Sequence, residues 1–395
     1  MITTPIDALR DIVGRFPTTR DEDWKYTDLA RARDISSRWL DEGGTRPSET
    51  PDIADLVGDT DADWFVIANG RLADLPIVDG VSVEKINELP AGDNALAEFN
   101  AALLDSGLRL RIEGRPGKPV GLLFIDEAGS PSVSQGFVEV AFEPGSRGEV
   151  FEYHASRGTG EHYSNTILCI DIGDDAVAHH VRLQDRALDH VQTHRTTVSV
   201  GRDAHFESAS FDLGGGLVRN DVAIDIAQPG ATVNFAGLYL AGDGQHVDNH
   251  TRVDHRVGPA TSRQEYRGIL NGKCRCVWNG KAIVHEGADG TDADQANHNL
   301  LLSAHAEIDA KPELEIYTDD VKCSHGTTVG QLDETALFYL RTRGLDPQRA
   351  TEVLTHAFAA GLVSRIPVEA AQEPVSRLME RRLGELIRSE EDYTA

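Results

Sequence analysis

A thiol and an imidazole near residue 323 are the side chains of this sequence best suited to chemistry. Cys323 and His325 are separated by one residue, so on a β-strand they would lie on the same face. Both side chain types are ligands for iron and zinc. Lys322 would favour a thiolate, whereas the carboxylates of Asp319 and Asp320 would oppose it. The spacing is compatible with an iron or zinc ligand pair, but from the spacing alone the structural interpretation, a polar strand end in which His325 donates to a carbonyl, is favoured.

A second pair of thiols, Cys274 and Cys276, has the same alternate spacing. On a strand the two thiols would share a face and could hold a soft metal, although zinc sites more often use two-residue spacings. If that face is the interior of the protein, both are small buried hydrophobic residues, and this structural interpretation is favoured. A static zinc site that combines these thiols with Cys323 and His325 is a further hypothesis.

Motifs for nucleotide chemistry are absent from the sequence. No P-loop is found, no G-x-G-x-x-G opens a helix, and neither G-x-S-x-G nor H-E-x-x-H occurs. The chain is therefore not expected to hydrolyse nucleotides or to bind a dinucleotide by a known cradle.

The elements that position the thiols come from a repeat between residues 116 and 330. Clusters of a turn followed by a strand recur at a nearly constant spacing, beginning at Gly148, Ala176, Ala204, Ala231 and Ala260. A constant period of strand, turn and strand without helix is typical of a β-solenoid. A sandwich or barrel would also give short strands, but with hairpin turns at shorter spacing. The sequence predicts a mainly β protein with a solenoid core.

The regions on either side of the repeat contain helices. Residues 1–115 are predicted to be a mixed α/β region with helices at Ile2–Val13, Asp52–Val57 and Asn94–Leu104 and strands at Trp64–Ala68 and Gly80–Val83. Residues 331–395 are predicted to be helical, with a first helix after Asp333 that ends near Gly344, a second from Asp346 to about Leu362 and a third at Ser376–Ile387. The second helix has an apolar face formed by Val353, Leu354, Ala357, Phe358, Gly361 and Leu362. This region is predicted to cap the last coil, to dock a partner, or both.

The composition excludes several classes of function. The 395 residues carry a formal charge of −27, which repels nucleic acids and anionic membrane surfaces. No apolar run approaches the roughly 18 residues of a membrane span. Four cysteines are too few for a disulfide scaffold, and no export signal is recognised, so a cytoplasmic location is expected.

Four stretches of the sequence together resemble a known family. They are Asp23–Thr27, Thr291–Leu302, Lys311–Gly326 and Leu337–Gly344. These stretches bracket nearly the whole chain and resemble the SufB/SufD family of the SUF iron–sulfur cluster assembly system. The Cys-Ser-His-Gly run at Cys323–Gly326 favours the SufD branch of that family.

The resemblance implies a fold and a set of partners. It implies a right-handed parallel β-helix that pairs with SufB through the β-helix ends, and C-terminal helices that bind the SufC ATPase. The nascent cluster is expected at the SufB interface, where His325 matches the family's interfacial histidine and Cys323 is its neighbour. The SufC-docking helix would be Asp346–Leu362. No role for Cys274 or Cys276 follows from the resemblance.

The leading hypothesis is therefore a non-enzymatic scaffold subunit whose energy comes from ATP hydrolysis in SufC. A transient iron–sulfur cluster is expected at the SufB interface, none is expected to stay tightly bound to the isolated chain, and the isolated chain could pair with itself. One alternative is a β-helix carbohydrate-active enzyme, but the 12 Phe, 8 Tyr and 4 Trp residues offer few aromatic platforms for sugars. The static zinc protein is the other alternative.

Overall fold

The computed structural model describes residues 4–47, 50–58, 60–87, 92–127, 129 and 131–388. Its N-terminal region mixes helices and strands: α1 (Ile6–Gly14), a 3-10 turn (Glu22–Trp24), α2 (Ala30–Asp41), α3 (Ala54–Val57), β1 (Asp63–Ala68), β2 (Arg71–Leu72), β3 (Val81–Ile86), α4 (Ala95–Leu103) and β4 (Gly107–Ile112). Fifteen strands then follow: β5 (Val120–Glu127), β6 (Ser132–Phe142), β7 (Arg147–Arg157), β8 (His162–Ile172), β9 (Val177–Asp185), β10 (His190–Val200), β11 (His205–Asp212), β12 (Leu217–Ile226), β13 (Thr232–Ala241), β14 (His246–His255), β15 (Thr261–Leu270), β16 (Arg275–Val284), β17 (Thr291–Leu301), β18 (Glu307–Ile316) and β19 (Val321–Gly330). The chain continues with α5 (Glu334–Thr342), α6 (Pro347–Val363) and α7 (Glu369–Arg388).

From β4 onward, successive strands alternate between two facing sheets, with the odd-numbered strands in one and the even-numbered strands in the other. The ten-stranded sheet has the order β19-β17-β15-β13-β11-β9-β7-β5-β1-β2, and the nine-stranded sheet has the order β18-β16-β14-β12-β10-β8-β6-β4-β3. Within the described residues the strand pairs are parallel, except for β1 with β2, β3 with β4 and an isolated bridge between Val78 and Val81. The β-solenoid predicted from the repeat is confirmed, and both sheets extend N-terminal of residue 116 through β1 and β4.

The repeat of the sequence is the length of one coil. Val191 is in register with Leu217 on the next coil, and Cys276 is in register with Ile308. The offset between such partners stays close to the spacing of the turns in the sequence. Side chains alternate between the lumen and the outer face, as Cβ direction requires. An apolar ladder of Ala178, Phe206 and Val233, which are in register on β9, β11 and β13, fills part of the lumen together with neighbours such as Val150.

Helices from both ends of the chain cover the outer faces of the two sheets. In the N-terminal region, Phe16 of the loop after α1 and Phe99 of α4 pack with Tyr163 of β8. At the C-terminus, α6 and α7 place Leu362 and Leu383 in a cluster on the outer face of the ten-stranded sheet. Within the described residues, no helix is both long and apolar enough to cross a membrane.

All three helices predicted in the N-terminal region are present, and the structure adds a fourth helix, α2, that the sequence analysis does not predict. Helices α1, α3 and α4 match the predictions within a few residues, and Ile2 of the first lies outside the described residues. Helix α2 buries Ala32, Ile35 and Trp39, which are spaced three and four residues apart as on a helix face. The charged residues between them obscure that period.

The third C-terminal helix begins earlier than predicted. The expected start at Ser376 follows from Pro374, because proline removes a helical hydrogen bond. In the structure α7 already begins at Glu369 and includes Pro374. Pro374 and Val375 are buried, so packing on the sheet offsets the lost bond. Residues 389–395 of the predicted C-terminal region lie outside the described residues.

Candidate functional site

The last coil of the solenoid is open. Strands β18 and β19 are the edge strands of their sheets, so each has a paired strand on one side only. Backbone groups on the other side lack a sheet partner within the described residues, and such an edge is a template for pairing with another chain.

Cys323 and His325 lie at this open end and point along the lumen. Cys323 is in register with Ala293 and His325 with Gln295, and both of these partners on β17 are buried in the lumen. The two residues of β19 therefore continue an inward-facing column. Because no further coil covers them, His325 is exposed and Cys323 is half-buried. They share one strand face, as their spacing predicts.

The surroundings of the Cys323 thiol favour its protonated form. Burial raises its pKa, the nearby Asp292 carboxylate raises it further, and a backbone contact with Ala293 acts in the opposite direction. The opposing carboxylate is therefore Asp292, not the Asp319 or Asp320 expected from the sequence. A metal ion would have to displace this proton before Cys323 could bind it.

The β18 side of the open end is mainly apolar. Its inward-facing residues, which continue the column of Cys276 and Trp278, are Ile308, Ala310, Pro312, Leu314 and Ile316. Ile316 is 42% exposed and the following Tyr317 is 61% exposed. A partner that covered this end would bury both apolar side chains and the His325 imidazole.

Pro312 interrupts the free backbone edge of β18. The Glu307 N–H donates to the Cys274 carbonyl, and the Tyr317 N–H donates to the Val284 carbonyl. Since successive residues of a strand alternate in direction, odd-numbered residues bond to β16 and even-numbered residues face the open edge. The missing N–H of Pro312 is thus on the open edge, where proline is tolerated. A second strand could not form an unbroken ladder there.

The other two thiols are internal. Cys274 and Cys276 are 4% and 0% exposed in the apolar cluster of the lumen. A hydrogen bond with Cys276 lowers the pKa of Cys274, and burial raises the pKa of Cys276 well above its usual value. All four cysteines of the chain are free thiols. This burial agrees with the structural interpretation of the pair.

The structure does not bring the two thiol pairs together. In the part of the chain that the structure describes, three groups of at least three histidine, cysteine or carboxylate side chains converge within 4.8 Å. Their members are Asp126, His162 and His190, then Glu152, His154 and His194, then His179, His205 and Glu207. None of them contains a cysteine or His325, so the zinc site that would combine Cys274, Cys276, Cys323 and His325 is not formed.

The predicted apolar face of α6 is divided between the core and the solvent. Leu362 is 1% exposed and packs on the outer face of the sheet, so it is not available to a partner. Val353 and Ala357 are exposed, and Leu354 and Phe358 are half-buried. Leu362 lies on the side of α6 that packs on the sheet, and its burial there anchors the helix.

Helix α5 adds an apolar surface that the sequence analysis did not single out. Phe338 and Tyr339 are 67% and 56% exposed, and no residue of α5 is buried. Two large aromatic side chains on an unburied helix are unusual for a monomer surface. The sequence analysis missed this surface because Leu337 and Leu340 alone account for the apolar face of the predicted helix, so Phe338 and Tyr339 did not stand out.

Two buried carboxylates in the polar half of the lumen are further features missed from the sequence. Asp126 pairs with Arg186 and lies 3.4 Å from His162 Nε2. Although burial would raise it, the pKa of Asp126 is held well below its usual range by Arg186 and His162. Arg186 is 1% exposed. This cluster is a buried ion pair, and such pairs require both partners.

Glu152 forms the second buried cluster. Its Oε1 atom lies 2.7 Å from His154 Nε2 and 2.8 Å from His194 Nε2, and its Oε2 atom lies 3.1 Å from His180 Nε2. The pKa of Glu152 is low despite burial, because His194 and His154 stabilise its charge. Three imidazoles on one carboxylate satisfy it without a metal ion.

The buried histidines predict a loss of stability in mild acid. Burial lowers the pKa of His154 to about 3 and that of His162 to about 4. The unfolded chain, with histidine pKa values near ~6.5, therefore binds protons between pH ~6.5 and ~4 that the folded chain does not. As the pH is lowered through this window, the free energy of unfolding should therefore decrease by up to about 1.4 kcal/mol per pH unit for each histidine. Urea unfolding at a series of pH values measures it.

The control for this prediction is a chain with one buried histidine replaced. His162→Gln should give a shallower slope of unfolding free energy against pH, because one fewer proton is taken up on unfolding. A slope that is flat between pH ~6.5 and ~4 in the unmodified chain would contradict the prediction.

The N-terminal Asp23–Thr27 motif docks on the outer face of the nine-stranded sheet. The Arg219 guanidinium lies 4.4 Å from the centre of the Trp24 ring. Thr27 donates to the Asp248 carboxylate, which also pairs with Arg219. Thr27, Arg219 and Asp248 are buried, so the motif joins the N-terminal region to the solenoid through packed and hydrogen-bonded contacts.

Fold and site together define a class of protein. The chain is a parallel β-solenoid with helices at both ends and with a thiol and an imidazole at an uncovered coil. A family model described as "SUF system FeS cluster assembly, SufBD core domain" matches residues 124–358. The iron–sulfur cluster assembly protein SufD of Escherichia coli (strain K12) is 31% identical over 93% of this chain and 89% of its own length.

Other relatives agree with this match. An iron–sulfur cluster assembly SufBD family protein of Mycobacterium bovis is 29% identical over 96% of this chain and 92% of its own length. The iron–sulfur cluster assembly protein SufD of Bacillus subtilis (strain 168) is 25% identical over 77% of this chain and 69% of its own length. The chain belongs to the SufBD family of iron–sulfur cluster assembly proteins.

Proposed function

We propose that this chain is a non-enzymatic scaffold subunit that pairs with SufB through the open last coil. The observation that carries this proposal is the uncovered lumen end, where β18 and β19 each pair with a strand on one side only among the residues that the structure describes. Exposed Ile316, Tyr317 and Val329 surround it, and their burial favours a partner at this position. The broken backbone edge at Pro312 favours contact through side chains on the β18 side. In the absence of SufB the same surface would allow two copies of the chain to pair.

The nascent iron–sulfur cluster is the cargo of this interface. His325 is exposed and free to turn toward a partner, and Cys323 is its half-buried neighbour on the same face. An imidazole binds iron directly as a neutral ligand, whereas the protonated thiol of Cys323 would have to lose its proton first. His325 is therefore the primary ligand or base, and Cys323 is a secondary ligand or a support. The cluster stays at the interface only during assembly.

The SufC ATPase is proposed to bind the outer face of α5 and α6. Phe338 and Tyr339 of α5 and Val353 of α6 are exposed, and helices pack through such apolar faces. The inner side of α6 is fixed to the sheet by Leu362. Movement of α6 on ATP hydrolysis would therefore be passed to the outer face of the ten-stranded sheet. The family's role in cluster assembly supports a cytoplasmic location for this work.

Two charge substitutions test the two surfaces against each other. Val329→Asp at the open coil should abolish co-purification with SufB and retain SufC, because a carboxylate would be buried without a partner. Val353→Asp on α6 should abolish co-purification with SufC and retain SufB. The measurement is affinity purification of the tagged chain from cells that co-express both partners. Each variant is the control for the other.

A matched surface substitution excludes a general effect of added charge. Leu188 is 57% exposed on the loop before β10, and Leu188→Asp should retain both partners. Retention of SufB by Val329→Asp would contradict the open-coil interface. A chain that bound neither partner and released reducing sugar from polysaccharides would instead favour a carbohydrate-active enzyme.

A further inference from the structure

A group of histidine and glutamate side chains on the outer face of the ten-stranded sheet has no role in the proposed scaffold function. Glu149 of β7 is in register with His179 of β9, and His179 is in register with Glu207 of β11. His205 precedes Glu207 by two residues and therefore lies on the same face. Their sequence neighbours point into the lumen, so these four side chains point outward from three adjacent coils.

The distances among these side chains suit a metal ion. His205 Nε2 lies 3.1 Å from Glu207 Oε1, and His179 Nε2 lies 4.0 Å from Glu207 Oε2. Bonds of about 2.0–2.2 Å to nitrogen and oxygen place tetrahedral ligand atoms about 3.3–3.6 Å apart. The ligand atoms of the three side chains all lie within 4.8 Å of one another, which is close to this spacing. They are 27–38% exposed, so an ion can enter without opening the fold.

Glu149 supports the same interpretation from the other side of the imidazole. Its Oε1 atom lies 4.0 Å from His179 Nδ1, the ring nitrogen that does not face Glu207. A carboxylate at this nitrogen orients the ring of a metal-binding histidine and leaves Nε2 free to bind the ion.

The charges around the group also favour a cation. Within the described residues, the ion-pair partners of Glu149 and Glu207 are the two histidines, with no lysine or arginine among them. The chain as a whole carries a charge of −27, which raises the local concentration of cations.

The two buried clusters do not share these properties. Glu152 already accepts hydrogen bonds of 2.7 and 2.8 Å from two imidazoles, and Asp126 is neutralised by Arg186. The ligand atoms of the two clusters are occupied by one another and buried, whereas those of the outer group are reachable from solvent.

We propose that His179, His205 and Glu207 form a binding site for a divalent transition-metal ion, with Glu149 orienting His179. Two imidazoles and one carboxylate with the remaining positions open to solvent are the ligand set of non-haem ferrous sites, and zinc or cobalt can also occupy it. The site is on β11 and β9, which are four and five strand positions from β19, and it is separate from the proposed cluster interface. It stands whether or not the scaffold proposal holds.

Titration of the full chain with Co2+ tests the site, with visible absorption of the bound ion as the signal. All chains carry Cys323→Ser and His325→Ala, which removes the exposed candidate ligands at the open coil. This background chain should bind one Co2+ saturably. His179→Ala, His205→Ala and Glu207→Gln should each weaken binding at least about tenfold, and Glu149→Gln by about tenfold.

His298→Ala is the matched control. His298 is on the outer face of β17 in the same sheet and bonds Thr328 at 2.9 Å, so its removal should leave Co2+ binding unchanged. Thermal melting of each variant checks that the fold is retained. Unchanged Co2+ affinity in the His179→Ala and His205→Ala chains, or the absence of saturable binding to the background chain, would overturn the proposal.

Discussion

A chain with His325→Ala should fold and melt like the unmodified chain but fail to support the maturation of iron–sulfur enzymes. His325 is exposed at the open coil and makes no side-chain hydrogen bond within the described residues, so its removal should change stability by no more than about 0.5 kcal/mol. Because His325 is the proposed iron ligand, its loss should lower cluster transfer at least about tenfold. The measurement is the activity of an iron–sulfur enzyme in cells that rely on this system alone.

Two further chains separate loss of chemistry from loss of docking. His305→Ala removes another exposed histidine, on the turn before β18, and should leave enzyme maturation unchanged. The His325→Ala chain should still co-purify with SufB, because the apolar residues around the open coil remain. Normal activity of iron–sulfur enzymes with His325→Ala would remove this residue from the mechanism.

The coil architecture could be predicted because it depends on local signals. A turn followed by alternating residues recurs in every coil of the repeat, and the in-register pairing of Ser164 on β8 with Gln192 on β10 follows the spacing that is visible in the sequence. The shared face of Cys323 and His325 likewise follows from alternation on one strand. Both predictions need only the direction of neighbouring side chains.

The buried polar clusters could not be predicted because their partners meet across coils. Asp126 of β5 pairs with Arg186 beyond the end of β9, and Glu152 of β7 pairs with His194 of β10. A charged residue on a strand is normally assigned to the solvent face. Only the register of several coils shows that these residues share the lumen.

The division of α6 was beyond the sequence for a related reason. Its apolar residues extend over most of the helix circumference, so the pattern shows that the helix is buried on some side without showing which side packs on the sheet. Leu362 was grouped with Val353 on one predicted surface, but the structure places Leu362 in the core and Val353 in solvent. Only the contact between α6 and the sheet shows which side of the helix is buried.

The Asp126–Arg186 pair gives the largest expected effect on stability. Asp126→Asn should lower the free energy of unfolding by about 3–5 kcal/mol, because it leaves a buried charge without its counter-ion. The other contacts of the Arg186 guanidinium are neutral: His190 Nε2 at 3.1 Å, the Ala155 carbonyl at 3.3 Å and His154 Nδ1 at 3.5 Å. Urea unfolding followed by circular dichroism measures the change. Asp174→Asn, at a surface pair with Arg202 that is 42–59% exposed, should have little effect.

A double substitution distinguishes an unpaired charge from a simple packing defect. Arg186→Met in the Asp126→Asn chain removes the orphaned guanidinium, and replacing both members of a buried ion pair is often neutral. The double variant should therefore be more stable than Asp126→Asn alone, although it carries one more substitution in the lumen. If the double variant is the less stable of the two, Arg186 contributes through its packing and its neutral contacts. In that case the cost of Asp126→Asn does not come from an uncompensated charge.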